Sequence, residues 1–169
     1  MQFTVLLTTA LLVVSTSALP TTTEPVTLIA PAVAEPKTLD TRDIDYLTIV
    51  NKWRQTMNVP ALQLSSTLEW NALKTVNAAN GQLVHKLYPG TLAQVLAQGQ
   101  EGDFESVFVG GWICEIPSLI GGSENCAKWV PGWIHAGQTD HAKIVSSTKY
   151  TAIGCWNTRG IWGCDLGNA

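Results

Sequence analysis

The chain has 169 residues, a formal charge of −3 and a hydrophobic fraction of 46% that includes seven Trp, ample for one core and too short for a second domain. Its Lys and Arg are scattered rather than gathered in a stripe, which excludes nucleic-acid binding by counterion release and a polybasic membrane patch.

Residues 1–18 read as an export signal. Val5 to Val14 is apolar apart from Thr8 and Thr9, and Thr16-Ser17-Ala18 supplies small residues for cleavage after Ala18. The run is too short to anchor the chain in a bilayer, so the mature protein is expected to be soluble and secreted. Residues 19–39, with Pro20, Pro25, Pro31 and Pro36, form a Pro/Thr-rich linker or propeptide. The folded domain is expected over 40–169.

A first helix is predicted from Asp43 to Met57, capped by Thr41, with Leu47, Val50 and Met57 on one face. A second starts at a capping box, Ser66-Thr67-Leu68-Glu69, carries Leu68, Ala72, Val76 and Ala79 at helical spacing, and ends near Gly81. Thr91 to Gln98 reads as a short helix, and Asp103 to Ile116 as a longer one with Phe104, Val107, Phe108 and Trp112 on its apolar side, stopped by Pro117. Ile120 to Thr139 is Gly- and Ser-rich loop. Strands follow at Ala142 to Val145, Tyr150 to Trp156 and Ile161 to Leu166, the last two joined by a turn at Asn157-Thr158-Arg159-Gly160. Helices first and strands later make an α+β fold.

Four cysteines behind an export signal imply two disulfides. Three connectivities exist, and the favoured one joins Cys114 to Cys126 and Cys155 to Cys164, the latter across a hairpin. No Cys-x-x-Cys favours a cysteine zinc site.

Several segments together resemble the CAP superfamily (SCP/TAPS), in the manner of a short fungal-type member. Asn51-Lys52-Trp53-Arg54, then Val59-Pro60-Ala61-Leu62, is similar to its opening Asn-x-x-Arg helix and Pro-x-Leu turn. Trp112-Ile113-Cys114-Glu115 is similar to its Trp-x-x-Glu. Asp140-His141-Ala142-Lys143-Ile144-Val145-Ser146-Ser147 followed by Gly154-Cys155 resembles its histidine signature, although only the His and the Gly-Cys agree. Gly163-Cys164-Asp165-Leu166-Gly167-Asn168 is like a shortened second signature.

The resemblance implies a three-layer α-β-α sandwich around an antiparallel sheet. It also implies a cleft with two His and two Glu able to hold a divalent cation, whose counterparts here are His85, Glu115, His141 and, in place of the second Glu, Gln94. An amide lacks a carboxylate's charge, so Zn²⁺ or another divalent cation would bind weakly and no cofactor is required. Glu115 is left as the one acid of the set, which disfavours catalysis.

Trp53, Trp70 and Trp112 sit on predicted helices and are expected in the core. Trp129 and Trp133, in the loop beside Pro131, are the candidates for ligand or partner contact. His135 is expected as a loop residue. The resemblance then implies a secreted binding protein for a sterol, fatty acid or other small apolar ligand. The alternative is an extracellular interaction protein, a virulence effector or immune modulator acting on a host or competitor. A metal-dependent hydrolase ranks third.

Overall fold

The computed structural model describes residues 41–169, and their side chains from Tyr46 onward. The expected export signal and linker lie outside the described residues. Helix α1 (Thr41–Thr56) leads through a turn to a short strand β1 (Gln63–Leu64), helix α2 (Ser66–Ala79) and strand β2 (Ala93–Gln98). An irregular helical run follows: a tight turn at Glu101–Asp103, one α-turn α3 (Phe104–Ser106), a wide π-turn at Val107–Trp112 and a second tight turn at Ile113–Glu115. After the turn Pro117–Ile120 come two short helices, α4 (Ser123–Cys126) and α5 (Asp140–Val145), and the hairpin β3 (Ala152–Thr158) and β4 (Ile161–Gly167).

The sheet order is β1-β3-β4-β2. β3, β4 and β2 are antiparallel neighbours, and β1 joins the edge parallel to β3. Directly paired residues share a face. Val95, Cys164 and Cys155 therefore look one way, while Gln94, Asp165 and Gly154 look the other.

The first face carries the main core with Val50, Phe104, Phe108, Trp112 and Ile153. The second is covered by α2, which comes so close that a Cβ on Gly154 would overlap the backbone of Leu68 and Glu69. Helices thus sit on both sides of one sheet, the expected α-β-α sandwich.

Within this frame several elements differ from their sequence reading. Thr41 is itself helical in α1, where the sequence places a cap. The cap of α2 is Ser65, whose hydroxyl accepts from the Leu68 N–H, and the helix ends on Asn80 in the left-handed region.

Residues 93–98 form a strand, not a helix. Ala93 to Ala97 are all buried, so no alternation marks them, and pairing with β4 overrides the local preference of Ala and Gln. Ala142 to Val145 belong to α5 rather than to a strand. The Ala142 N–H is held by Glu115 Oε2 at 3.0 Å, and Lys143 N–H bonds the Thr139 carbonyl. The hairpin turns on Arg159 and Gly160, both at positive φ (53° and 74°), the geometry of a type I′ turn, and glycine meets it without strain.

Both favoured disulfides are present, Cys114–Cys126 and Cys155–Cys164. The second joins residues directly opposite each other on β3 and β4.

Asn51 and Arg54 explain why the opening motif has its form. The Asn51 amide exchanges two hydrogen bonds with the backbone of Leu62, and the buried Arg54 guanidinium donates to the carbonyls of Pro60, Val145 and Ser147. One helix end thereby ties the 57–62 turn to the end of α5.

On the surface of α1, Lys52 Nζ and Trp53 Nε1 both donate to Glu105 Oε1 at 2.8 Å. The Lys52 bond chiefly holds the Glu105 carboxyl below the usual range. A depressed carboxyl contributes stability above its ordinary pKa and loses it as pH falls through the folded value. Glu105→Gln is expected to flatten the acid limb of the stability–pH curve by less than about 1 kcal/mol, since the pair is solvent-screened. Thermal unfolding from neutral to acid pH checks this, and a slope equal to the parent's would contradict it.

Candidate functional site

The expected cleft residues come together two by two. His141, in the first turn of α5, places Nδ1 2.6 Å from Glu115 Oε1 at the end of the helical run. The Glu115 side chain is only 1% exposed and its other oxygen accepts the Ala142 N–H. One carboxylate therefore fixes both the imidazole and the start of the helix that carries it.

The second pair is His85 with Gln94, Nδ1 to Oε1 at 3.0 Å. Gln94 lies on β2 directly opposite Asp165 on β4, and its Nε2 donates to Asp165 Oδ1 at 2.6 Å. That donor must face the carboxylate, so Oε1 must face outward to His85 and to the Lys86 N–H. The chain of bonds fixes the proton on His85 Nδ1 and leaves Nε2 turned away. Asp165 is fully buried and also accepts from the Thr91 hydroxyl at 2.8 Å, which in turn accepts from Asn71 Nδ2. Burial, the largest influence, raises the Asp165 carboxyl above its ordinary value; the bonds from Gln94 and Thr91 oppose the rise. Its stability cost is thus present at neutral pH and lifts as pH falls from the raised value toward the ordinary one.

Sequence reading missed Asp165, Thr91, Asn71 and Thr75, whose hydroxyl accepts from Gln94 Nε2 at 3.2 Å. The available signal was an acid between Cys164 and Leu166 in a strand of otherwise uncharged residues. The carboxylate absent at position 94 stands on the neighbouring strand, and a second one beside it would have met a like charge instead of a donor.

Most polar atoms of the set are already hydrogen-bonded within the protein. Both Glu115 oxygens, Gln94 Oε1 and both imidazole Nδ1 atoms are so engaged, while the two Nε2 atoms stand outside these bonds. Zinc sites use three protein ligands or more. Among the described residues no group of three or more His, Cys, Asp or Glu could hold a metal ion.

The tryptophans divide. Trp112 is fully buried, Trp53 is half-buried against the core, and Trp70 is 59% exposed, a correction to its expected place in the core: it lies on the outer face of α2. Trp129 packs edge-on against Trp53 with centroids 5.8 Å apart. Trp133 lies against Gly110 and Gly111, where a Cβ would strike its ring, and with Ile134 it lines a groove of about 460 Å³ that His141 also borders. His135 bonds the Gly110 carbonyl at 2.7 Å, which pins the loop to the π-turn.

A different cavity, of about 470 Å³, opens between α1, the turn at 101–104 and the outer part of the hairpin. Tyr46, Ile49, Phe104, Trp156 and Trp162 supply its apolar wall, with Thr48, Glu101 and Asn157 as polar members. Phe104 stands 4.6 Å from Trp162 and 5.7 Å from Tyr46, centroid to centroid, so its wall is a braced aromatic cluster. Neither Trp129 nor Trp133 lines it.

No curated protein sequence matches the chain. Among solved structures, an outer surface protein of Borrelia burgdorferi is similar at 14% identity and a TM-score of 0.50, covering 77% of this chain and 96% of that one. A cysteine-rich secretory protein of Staphylococcus aureus is similar at 15% identity and a TM-score of 0.46, covering 76% of this chain and 38% of that one. Residues 47–158, more than half of the sequence, match the family described as CAP, the cysteine-rich secretory protein family. Taken with the sandwich and the His141–Glu115 pair, that match means that the chain belongs to the CAP family.

Proposed function

We propose that this CAP protein is a secreted binding protein that carries a small apolar ligand, a fatty acid or a sterol, in the aromatic-lined cavity beside α1. The observation that carries the reading is the cavity itself. At about 470 Å³, walled by aromatic rings and bearing few polar groups, it has the size and lining of a preformed ligand site. Two disulfides and family membership support an oxidising, extracellular setting. Among the described residues, no helix is long and apolar enough to cross a membrane.

The paired imidazoles support a structural part for the cleft rather than turnover. Each is held through Nδ1 by a buried acceptor, Glu115 for His141 and Gln94 for His85. His141 with Glu115 fastens α5 to the helical run; His85 with Gln94 fastens the 81–92 loop to the sheet.

Titration with palmitate and with cholesterol, followed by tryptophan fluorescence, tests the proposal. Saturable binding of at least one is expected. Thr48→Trp places a large ring at the exposed rim of the cavity and should weaken that binding at least tenfold, with the fold intact by circular dichroism. Binding that the substitution leaves unchanged, or no saturable binding of either probe, would overturn the reading.

A further inference from the structure

Beyond the cavity, the structure carries a second surface that calls for a partner. Six large apolar side chains are exposed among the described residues: Trp70, Leu83, Val84, Leu87, Leu92 and Ile134. Their exposures run from 50% for Leu83 to 89% for Ile134. Five come from α2 and the loop that follows it. The sixth joins them in space, because Leu83 and Ile134 line the same groove with Trp133 and Pro131. The loop runs along α2, held by Asn71 Nδ2 on the Pro89 carbonyl and Thr75 Oγ1 on the Lys86 carbonyl. Apolar side chains so concentrated in one stretch of chain and the groove beside it, on backbone so fixed, mark a contact face rather than a frayed loop.

Charge identifies what meets it. The chain is formally −3, yet residues 70–98 contain no Asp or Glu and two Lys, Lys74 and Lys86, with His85. Residues 127–139 likewise contain no acid and one Lys, Lys128. Lys74 and Lys86 both lie over the Tyr88 ring, with Nζ 3.9 and 5.2 Å from its centroid. The one acid bordering the groove in sequence, Asp140, is offset by Lys143 at 3.6 Å. A stripe of basic residues is absent from the sequence; the fold assembles instead an apolar rim with separate ammonium groups around it. That combination suits an anionic lipid surface, where apolar side chains enter the headgroup boundary and lysines meet the phosphates.

We propose that the face formed by α2, the 81–92 loop and Ile134 docks on an anionic lipid bilayer. It shares no residue with the aromatic cavity, so it stands or falls apart from the carrier reading.

Co-sedimentation of the whole protein with vesicles tests it. Vesicles of phosphatidylglycerol and phosphatidylcholine in equal parts should bring the protein down, pure phosphatidylcholine should bring down at least fivefold less, and added salt should release it. Leu87→Asp with Ile134→Asp should cut the bound fraction at least tenfold. Both side chains are exposed, so the variant should keep its circular dichroism spectrum and palmitate titration. Lys74→Gln with Lys86→Gln should weaken binding about threefold or more and blunt the salt effect, which checks the charge component on a variant with the rim intact. Absence of sedimentation with the mixed vesicles, equal binding to neutral ones, or an aspartate variant that binds like its parent would overturn the proposal.

Discussion

Restoring a carboxylate at position 94 is expected to destabilise the protein. In Gln94→Glu the Nε2 donor 2.6 Å from Asp165 Oδ1 becomes an oxygen, so two carboxylates face each other across the β2–β4 pair where residue 165 is fully buried. The change removes a buried donor and adds an unpaired like charge, a cost of about 3 kcal/mol at neutral pH. A proton shared between the two carboxyls removes most of the repulsion. The folded pair would then bind protons more tightly than the unfolded chain, so the deficit should shrink as pH falls through the raised carboxyl range. Urea denaturation at neutral and acid pH measures both quantities. A variant as stable as the parent at pH 7 would show that Gln94 is not fixed by Asp165.

Arg54→Ala should cost about 4 kcal/mol. The guanidinium is 0% exposed and its three bonds, 2.6 to 3.1 Å, end on backbone carbonyls of Pro60, Val145 and Ser147. Bonds to charged donors contribute about 1.5–3 kcal/mol each, and truncation leaves buried acceptors without a donor. Arg54→Lys recovers little, because one ammonium cannot span three carbonyls set in the plane of a guanidinium. A fall in the urea midpoint with an unchanged slope is the expected signature. A loss below about 1 kcal/mol would mean that the turn and α5 are held by other contacts.

These two residues show what was legible in the sequence. Arg54 stands in a motif that can be read without coordinates, four residues after the helix face of Val50 and six before Pro60. α2, the hairpin and both disulfides were legible for the same reason: spacing, turn residues and short loops are local signals. β2 was not, since Ala93 to Ala97 are buried on both faces and no alternation survives. The six residues of α5 are too few to display a helical period, and Ile144 and Val145 suggest a strand on composition alone.

Of the site, the family likeness pointed to His85, Gln94, Glu115 and His141 as members of one cleft, and said nothing of the two hydrogen-bonded pairs they form. Asp165 was not foreseen. Its partnership with Gln94 depends on the register between strands 71 positions apart, which no local pattern specifies. The same register turns an apparent defect of the cleft, an amide in place of an acid, into a requirement of the carboxylate opposite.

The exposed face of α2 was likewise hidden, because Trp70 sits at a helical position where burial is the usual outcome and only the placement of the sheet shows it pointing outward. The cavity beside α1 depends on Trp156, Trp162 and Phe104 meeting Tyr46 from distant parts of the chain, so no single motif announces it.

The indole N–H signals of isotopically labelled protein offer the most direct test of where a ligand binds. Trp156 and Trp162 line the aromatic cavity, whereas Trp112 and Trp133 line the groove beside His141. Titration with palmitate or cholesterol, whichever saturates, should shift the Trp156 and Trp162 resonances and leave those of Trp112 and Trp133 in place. Shifts confined to Trp112 and Trp133, or none at saturation, would contradict the assignment of this cavity as the ligand site.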